Sequence, residues 1–441
     1  MMMRFLFFLL LINISFSQKK PNIVLIMADD LGYESISVNG GKSYLTPNID
    51  MLAKKGVRFI NCHSEPICTP SRVRIMTGKT GKKNYLDFAK LDKNETVFSQ
   101  LLKENGYKTL IAGKWQLGKE ANLPNHFGFD EHILWQHKLP RTDSVGHDTR
   151  YPNPILDVNG LTVNYDNGSF GPDVIVDYIN EFVKRNKKTP FLVYYPMLLT
   201  HCPFIPTPDS GDFDPESKGS LEYKGNPIYF GDMVNYMDKL VGRIYNNLKD
   251  LKLLEETVII FTSDNGTDAP IVSKYLDGEM EWGKGKTTDN GTHAPLVVSW
   301  KGHTKQGVID SSLIDFSDFL PTLCDISGIK VSKSLDVDGI SFLPQILGKE
   351  NNKKKFIHTW YYPRPYQQNI SGDNWGRKEF EWTRNKIFKL YSDGRFYNVK
   401  DDFYEKNPIN IEKMNKIQSV NYKLLKKGLE SYEKITWKRK I

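Results

Sequence analysis

Short apolar runs in this chain end abruptly in acidic and amide residues. Residues 22–27 (NIVLIM) lead into Asp29 and Asp30, and residues 257–262 (TVIIFT) lead into Asp264 and Asn265. A continuous apolar run that ends in this way is typical of a buried strand in a parallel sheet. We therefore predict two central strands that deliver polar side chains at their carboxyl ends.

Further apolar and β-branched runs alternate with segments of helical periodicity. Residues 109–112 and 191–195 fit strands, and amphipathic helices are predicted at residues 49–55, 97–105, 172–184 and 232–251. The alternation predicts an α/β fold with a large mixed, mainly parallel sheet between layers of helices. Ligands of such sheets lie beyond the carboxyl ends of the strands, so the two acidic strand ends should converge on one site.

The pattern changes near residue 350. A Lys/Asn-rich link is followed by four short β-rich runs, with a tight turn at residues 392–394, and by a helical segment at residues 410–434. We predict a C-terminal α+β subdomain with a small antiparallel sheet. The predicted parts are a signal peptide at 1–17, a main α/β domain at 18–349 and the subdomain at 350–441.

The first 17 residues have the character of an export signal. A basic start, Met1–Arg4, precedes an apolar run at residues 5–14, and Ser15 to Ser17 offer the small residues that a signal peptidase reads. The apolar run is short for a membrane span, and no other stretch is long and apolar enough for one. We expect cleavage before Gln18 and a periplasmic or secreted protein.

Composition and charge narrow the class of partner. The 441 residues are 39% hydrophobic and 25% charged, which fits a soluble globular protein and not a disordered or repetitive one. The net charge of +8 is modest and the basic residues are dispersed. For an exported protein this favours a solvated basic surface or an extracellular polyanionic glycan over nucleic acid.

Four cysteines, at positions 62, 68, 202 and 324, show no C-x-x-C spacing. Their number and spacing argue against a zinc site and against a disulfide scaffold. One bridge, joining Cys202 to Cys62 or to Cys324, stays open at this point.

The polar residues at the two strand ends are candidate metal ligands. Asp29, Asp30, Asp264 and Asn265 offer only oxygen atoms, which suits Ca²⁺, or alternatively Mg²⁺. Either pair alone would fit an ordinary acidic loop. Their occurrence at the ends of two apolar strands favours a metal site.

Cys68 opens the segment Cys-Thr-Pro-Ser-Arg, just before a predicted helix at residues 73–77. Pro70 fits a first helical turn, so Cys68 should face the positive end of the helix, where anions are favoured. An isolated cysteine would otherwise be interpreted as a small buried apolar residue.

Taken in order, these segments resemble type I, formylglycine-dependent sulfatases of the alkaline phosphatase superfamily, such as bacterial polysaccharide sulfatases. The segment C-T-P-S-R matches the Cys-X-Pro-X-Arg signature of that family. The resemblance continues along most of the chain, at residues 21–32, 46–59, 106–118, 233–242, 262–266, 283–295 and 393–402.

The resemblance implies how the chemistry is divided. Cys68 would be oxidised by a formylglycine-generating maturation enzyme, and the hydrate of the aldehyde would be the nucleophile, held by Arg72. Lys114 and Lys284 would bind sulfate oxygens, although Lys286 leaves the register at Lys284 open. His201 would protonate the leaving alcohol. The same resemblance assigns calcium to Asp29, Asp30, Asp264 and Asn265.

Gln116 departs from the family pattern. The family has a histidine here, in G-K-W-H-L-G, and that histidine is assigned to deprotonating the sulfated hydrate. Glutamine can form hydrogen bonds but cannot act as a base. Two explanations stay open. Another histidine, His63, His137 or His293, acts as the base in its place, or the second half-reaction is slow.

The expected function is hydrolysis of sulfate esters of a sulfated carbohydrate, for which a marine polysaccharide such as ulvan, carrageenan or fucan is our first hypothesis. Gln116, Trp135, His137 and Arg364, with residues 360–366, could form the sugar-stacking and anion-reading subsites, although core packing explains the aromatic residues equally well. The alternatives are a phosphonate or phosphate ester hydrolase of the same superfamily, a glycosaminoglycan sulfatase, and a non-catalytic binder of sulfated glycans.

Overall fold

The computed structural model describes residues 20–349, 354–365 and 378–437. Its strands are β1 (Asn22–Ala28), β2 (Val57–His63), β3 (Lys108–Lys114), β4 (Glu131–Trp135), β5 (Ile155–Val158), β6 (Leu161–Asn164), β7 (Phe191–Pro196), β8 (Thr257–Ser263), β9 (Val272–Tyr275), β10 (Gly278–Glu281), β11 (His293–Ser299), β12 (Val308–Asp310), β13 (Ile314–Asp315), β14 (Ile357–Tyr361), β15 (Phe380–Arg384), β16 (Phe388–Tyr391) and β17 (Phe396–Asn398). Its α-helices are α1 (Pro47–Lys54), α2 (Cys68–Thr77), α3 (Gly81–Asn84), α4 (Phe98–Glu104), α5 (Leu123–His126), α6 (Gly171–Asn186), α7 (Phe230–Asp250), α8 (Asp289–Thr292), α9 (Phe319–Ile326), α10 (Leu343–Ile346) and α11 (Lys416–Glu433).

One large mixed sheet organises the main part of the molecule. Its strand order is β12-β2-β11-β8-β1-β7-β3-β4-β5-β6, with β13 also paired to β2. The central strands β8, β1, β7, β3 and β4 run parallel, whereas β11 is antiparallel to both β8 and β2. The predicted fold class is confirmed.

The apolar run of β1 is continuous because both faces of the sheet are covered. Val24 and Ile26 pack on one face with residues of α1, α6 and α7. Ile23 and Leu25 pack on the other face with residues of α2, α4 and α9. Both side-chain directions of the strand are therefore buried.

A second sheet, of four antiparallel strands in the order β14-β15-β16-β17, lies near the C-terminus. Helix α11 covers it, and Leu425 packs against Phe388, Leu390 and Phe396. The predicted turn lies between β16 and β17, where Gly394 has a φ of 90°. The predicted boundary between 349 and 350 adjoins residues outside the described ranges, as does the leader at 1–17, so both stay predictions.

All four cysteines are buried and free, so neither of the bridges left open by the sequence forms. The reason is geometric. Cys202 packs in the core on one face of the large sheet, whereas Cys62 and Cys324 pack in the core on the opposite face. Among the helices of the described residues, none has the length and apolar character needed to cross a membrane.

Candidate active site

The two acidic strand ends meet, as predicted, at the carboxyl edge of the large sheet. Strands β1 and β8 are parallel neighbours with Ala28 opposite Ser263, so the residues that follow them enter the same space. The backbone N–H of Asp30 donates to Asp264 Oδ1 over 3.1 Å, and Asn265 Nδ2 donates to Asp30 Oδ1 over 2.8 Å. Together with Asp29, these side chains are almost completely buried.

This oxygen cluster fits a divalent cation. Asp29 Oδ1 and Asn265 Oδ1 are buried acceptors without a hydrogen-bond partner, an arrangement that is costly unless a ligand satisfies it. Three carboxylates and an amide oxygen are a donor set suited to Ca²⁺, and to Mg²⁺ as the alternative. The described residues therefore fit the metal that the sequence predicts.

Three cationic side chains lie against the same carboxylates. Lys114 Nζ is 2.6 Å from Asp29 Oδ2, and Lys284 Nζ is 2.5 Å from Asp30 Oδ2. Arg72 Nη2 donates to Asp264 Oδ2 over 2.9 Å. Each predicted sulfate-binding or hydrate-binding cation thus sits beside one of the predicted metal ligands.

Burial and neighbouring charges have opposing effects on the pKa values of these carboxylates. Burial alone would raise the pKa of Asp29, but Lys114, Arg72 and Lys284 outweigh it and lower that pKa. Burial raises the pKa of Asp264 to about 7, and the Asp29 carboxylate adds to the rise. Two neighbouring buried carboxylates favour the binding of additional positive charge beside them.

Cys68 is the first residue of α2, and its motif anchors the helix to the sheet edge. Ser71 Oγ donates to the Asp264 carbonyl over 2.6 Å, and Arg72 Nη1 donates to the Lys114 carbonyl over 3.1 Å. These bonds hold Cys68 where its Sγ and carboxylate oxygens of Asp29 and Asp264 all lie within 4.8 Å of one another.

Close backbone packing places Lys284. A Cβ on Gly283 would lie 1.8 Å from the Asn290 carbonyl oxygen, and a Cβ on Gly266 would lie 1.9 Å from the same atom. Only glycine fits at both positions, so the loop that carries Lys284 can lie directly on the loop after β8. Lys286 instead lies over the Trp282 ring at 3.7 Å, and it is therefore Lys284 that enters the oxygen cluster.

His201 follows β7 and reaches the cluster from the other side. Its Nε2 is 3.3 Å from Lys284 Nζ and 3.5 Å from Asp30 Oδ2. Its Nδ1 lies 2.9 Å from Arg150 Nη1 and 2.6 Å from the Cys202 carbonyl oxygen. Burial and the nearby lysines hold the pKa of His201 well below its usual value.

Gln116 lies at the site, at the position where the sequence predicts a departure from the family. Its backbone is left-handed, with a φ of 55°, and its side chain is buried. The Oε1 atom has no hydrogen-bond partner and is thus available as an acceptor.

One cleft, with a volume of about 490 Å³, is lined by Cys68, Lys114, Gln116, His201 and Lys284. Its floor consists of buried or nearly buried residues, among them Cys68, Lys114, Gln116, His201, Asp268 and Lys284. Its rim, as the term is used below, consists of the more exposed lining residues Phe88, Arg141, Tyr223, Lys224, Trp282 and Arg364.

Of the predicted substrate residues, Gln116, Trp135 and Arg364 line this cleft and His137 does not. Trp135 is buried, and the Arg150 guanidinium lies 4.0 Å from its ring centre. His137 is buried elsewhere, with Nδ1 2.7 Å from Asp157 Oδ2 and Nε2 2.9 Å from the Glu120 carbonyl oxygen.

Trp360, His63 and His293 also lie away from the cleft. Trp360 packs against Trp437, with ring centres 5.2 Å apart. Tyr366 lies outside the described residues. His63 and His293 are stacked on each other and do not line the cleft, so neither they nor His137 takes the place that Gln116 leaves.

Two residues of the site, Arg150 and Asp268, were not predicted from the sequence. Arg150 lies in the connection between β4 and β5, where no periodicity marks it, and it is buried with both its Nε and Nη2 donating to Asp148. Asp268 lies 3.7 Å from Lys284. Its position, three residues after Asn265 in the same loop, was the signal that could have identified it.

Comparisons with known proteins agree with this geometry. Residues 21–329 match the family model described as Sulfatase, and residues 278–434 match the model described as N-sulphoglucosamine sulphohydrolase, C-terminal. Human arylsulfatase A is 31% identical over 391 residues, covering 80% of this chain and 72% of that protein. Mouse N-acetylgalactosamine-6-sulfatase is 28% identical over 361 residues, which cover 74% of this chain and 66% of that protein.

Solved structures give the same result for the fold. Crystal structures of Ps i-CgsB, alone and in complex with k-i-k-neocarrahexaose, match with TM-scores of 0.76 and 0.74 and identities of 25% and 24%. Each match covers 96% of this chain and 94% of that chain. The chain therefore belongs to the sulfatase family, and it is a type I sulfatase of the alkaline phosphatase superfamily that hydrolyses sulfuric esters.

Proposed function

We propose that this sulfatase desulfates a carbohydrate by means of a formylglycine made from Cys68 and a Ca²⁺ ion held by Asp29, Asp30, Asp264 and Asn265. The observation that carries the proposal is the clustering of Cys68 Sγ with oxygens of Asp29 and Asp264 within 4.8 Å. The unpartnered oxygens of Asp29 and Asn265 support the metal.

The environment of Cys68 argues that its thiol is a precursor and not the nucleophile. Burial raises the pKa of the thiol, although Lys114 and Lys284 oppose the rise. A reactive cysteine requires a lowered pKa and a partly exposed position, and Cys68 has neither. Oxidation by a maturation enzyme would replace the thiol with a group that can supply an oxygen nucleophile.

The surrounding side chains have separate roles in this proposal. When bound, the calcium ion supplies positive charge that polarises a sulfate oxygen and favours a deprotonated nucleophile. Lys114 and Lys284 bind the other sulfate oxygens, and Arg72 fixes the group at position 68. Because their charges are already in place in the folded protein, little reorganisation is needed during the reaction.

His201 is proposed to give a proton from Nε2 to the leaving alcohol. Burial, together with the two lysines, holds its pKa low in the free protein. A bound sulfate ester brings negative charge next to them, which favours the protonated ring. Substrate binding would thereby prepare the acid.

A sulfated carbohydrate is the proposed substrate class, with carrageenan, ulvan or fucan as the first candidates. The complex of Ps i-CgsB with neocarrahexaose, together with the carbohydrate in the name of N-acetylgalactosamine-6-sulfatase, supports a sugar substrate and leaves a glycosaminoglycan as the main competitor. The cleft volume of about 490 Å³ lies in the range of sites for small ligands. Export, inferred from residues 1–17, is part of the proposal.

The test combines a mass measurement with two assays. The peptide containing residue 68 is analysed by mass spectrometry after production with a formylglycine-generating enzyme, and the same protein is assayed on p-nitrophenyl sulfate and p-nitrophenyl phosphate. We expect the aldehyde at position 68 and preferential sulfate release. An unmodified thiol with full activity, or preferential phosphate release, would overturn the proposal. Sulfated oligosaccharides of defined structure, analysed by NMR, then identify the sugar.

A further inference from the structure

The rim of the cleft combines aromatic rings with cations. The Arg141 guanidinium lies 4.5 Å from the ring centre of Tyr223, and the Arg364 guanidinium lies 4.4 Å from that of Phe88. Trp282, a third aromatic residue of the rim, is covered by Lys286, which does not line the cleft. The two arginine–aromatic pairs line the same cleft. Aromatic faces suit sugar rings, and a guanidinium group that stacks on a ring can still donate hydrogen bonds to an anion in its own plane.

Each carboxylate near the rim lies close to two cations. Asp148 accepts two short hydrogen bonds from Arg150, at 2.8 and 2.9 Å, whereas Arg141 Nε is 4.0 Å away. Asp268 is 2.5 Å from Lys224 and 3.7 Å from Lys284, which is itself 2.5 Å from Asp30. Asp148 is therefore neutralised by Arg150 and Asp268 by Lys224, which leaves the charge of Arg141 in excess at the rim.

Arg141 is the rim cation best placed to bind a ligand. Its side chain is 33% exposed, whereas the side chain of Arg150 below it is 1% exposed and fully engaged. The floor has its own cations for the sulfate that is removed, Lys114 and Lys284. A substrate with one anionic group would leave the charge of the rim unused.

From this arrangement we infer that the substrate carries a second anionic group, a sulfate or a carboxylate, which binds Arg141 at the rim. The inference rests on the proposed function and narrows its substrate class to polyanionic saccharides. The ring of Tyr223 supports the sugar unit between the two anions. Arg141 is thus a specificity-determining residue that acts on KM more than on kcat.

The experiment measures binding to the full chain carrying Cys68→Ala, in calcium-containing buffer, so that bound saccharides are not turned over. The probes are galactose monosulfate and a carrageenan hexasaccharide with several sulfate groups. We expect the hexasaccharide to bind more tightly, with a Kd that rises with ionic strength. Adding Arg141→Ala should weaken its binding by roughly fivefold, the effect of one accessible charge contact, and should leave the monosulfate unaffected.

Two further variants separate binding from structural effects. Arg141→Lys keeps the charge and should restore most of the affinity. Arg395→Ala removes a cation that lies 4.2 Å from the Tyr391 ring centre outside the cleft, and it should change neither Kd. Equal affinity for the two probes, or equal weakening of both by Arg141→Ala, overturns the inference. Failure of the proposed function is seen separately, as absence of sulfate release by the matured enzyme.

Discussion

Lys114 Nζ and Asp29 Oδ2 lie 2.6 Å apart with both side chains buried. The lysine ends β3 and the aspartate follows β1, so two strands separated by β7 bring them together. In the proposed mechanism the lysine binds sulfate and the aspartate binds calcium. Their contact means that the anion site and the cation site share one charge network, and that a change in either alters the other.

Cys68→Ala should lower kcat by roughly three orders of magnitude or more, while the protein still folds. The substitution removes one buried sulfur atom and leaves the bonds of Ser71 and Arg72 in place. Sulfate release and thermal unfolding are the two measurements. Cys324→Ala, at a buried free cysteine away from the cleft, is the control that should keep turnover. Retained activity in Cys68→Ala would refute the assignment of the nucleophile.

His201→Ala should reduce turnover of sugar sulfates by roughly 10²- to 10⁴-fold and that of p-nitrophenyl sulfate much less. A poor leaving group needs the proton that Nε2 provides, whereas p-nitrophenolate leaves without it. The measurement is kcat on both substrates, with His303→Ala as the control, since His303 stacks on Trp300 and does not line the cleft. An equal loss on both substrates would count against the acid role.

Calcium should stabilise the folded protein. A ligand that binds only the folded state raises the free energy of unfolding by about 2.7 kcal/mol when its free concentration is 100 times its Kd. Thermal unfolding after EDTA treatment, followed by Ca²⁺ addition, should show the rise, and Asp264→Asn should remove most of it. Asp277→Asn is the control, because Asp277 is exposed and 3.3 Å from Lys42. A rise of the same size in Asp264→Asn would show that the ion binds elsewhere.

Glu34→Gln should flatten the dependence of stability on pH. Glu34 is buried, its side-chain partners are the hydroxyl groups of Thr267 and Ser35, and burial raises its pKa from 4.5 to about 7. A carboxyl group with a raised folded-state pKa binds its proton more tightly when folded, so its stabilising effect is complete below pH 4.5 and is lost as the pH rises through about 7.

The wild-type protein should therefore lose up to about 3 kcal/mol more than Glu34→Gln between pH 4.5 and pH 8. Denaturant unfolding at a series of pH values measures the difference. Glu279→Gln, at an exposed position, should follow the wild-type curve. Parallel curves for wild type and Glu34→Gln would show that folding does not raise the pKa of Glu34.

Gln116→His would add a base to the floor of the cleft, and we expect kcat to rise several-fold and to gain an additional ionisation in its pH profile. Histidine tolerates the left-handed backbone at this position better than most residues do. Gln116→Ala serves as the control that removes the acceptor without adding a base. An unchanged pH profile for Gln116→His would mean that the base is not missing from this enzyme.

The sequence predicted the parts of the site that follow apolar strands. Asp29 and Asp264 could be identified because a buried strand ends directly before each of them, and parallel strands end at the same sheet edge. Cys68 and Lys114 followed from motifs that resemble a known family. These residues depend on local sequence and on one simple rule of sheet topology.

The rest depends on long connections without periodicity. Arg150 and Tyr223 lie in loops between β4 and β5 and between β7 and α7, and only the folded chain shows that both reach the cleft. His137 shows the reverse: it lies two residues after Trp135, which lines the cleft, yet its Nδ1 lies 2.7 Å from Asp157 Oδ2. Residues two apart in a strand face the same side, but β4 ends at Trp135 and Gln136 has a left-handed φ of 54°, so the alternation does not continue to His137.

Helix α2 buries all ten of its residues, including the whole segment from Cys68 to Arg72. No protein-sized catalyst can reach that segment once the helix has docked on the sheet. Any enzyme that oxidises Cys68 must therefore act on the nascent or still unfolded chain, and the time available is set by the folding rate. In the proposed mechanism, a variant that folds faster would leave more molecules with an unoxidised Cys68 thiol, so rapid folding and maturation of Cys68 would compete.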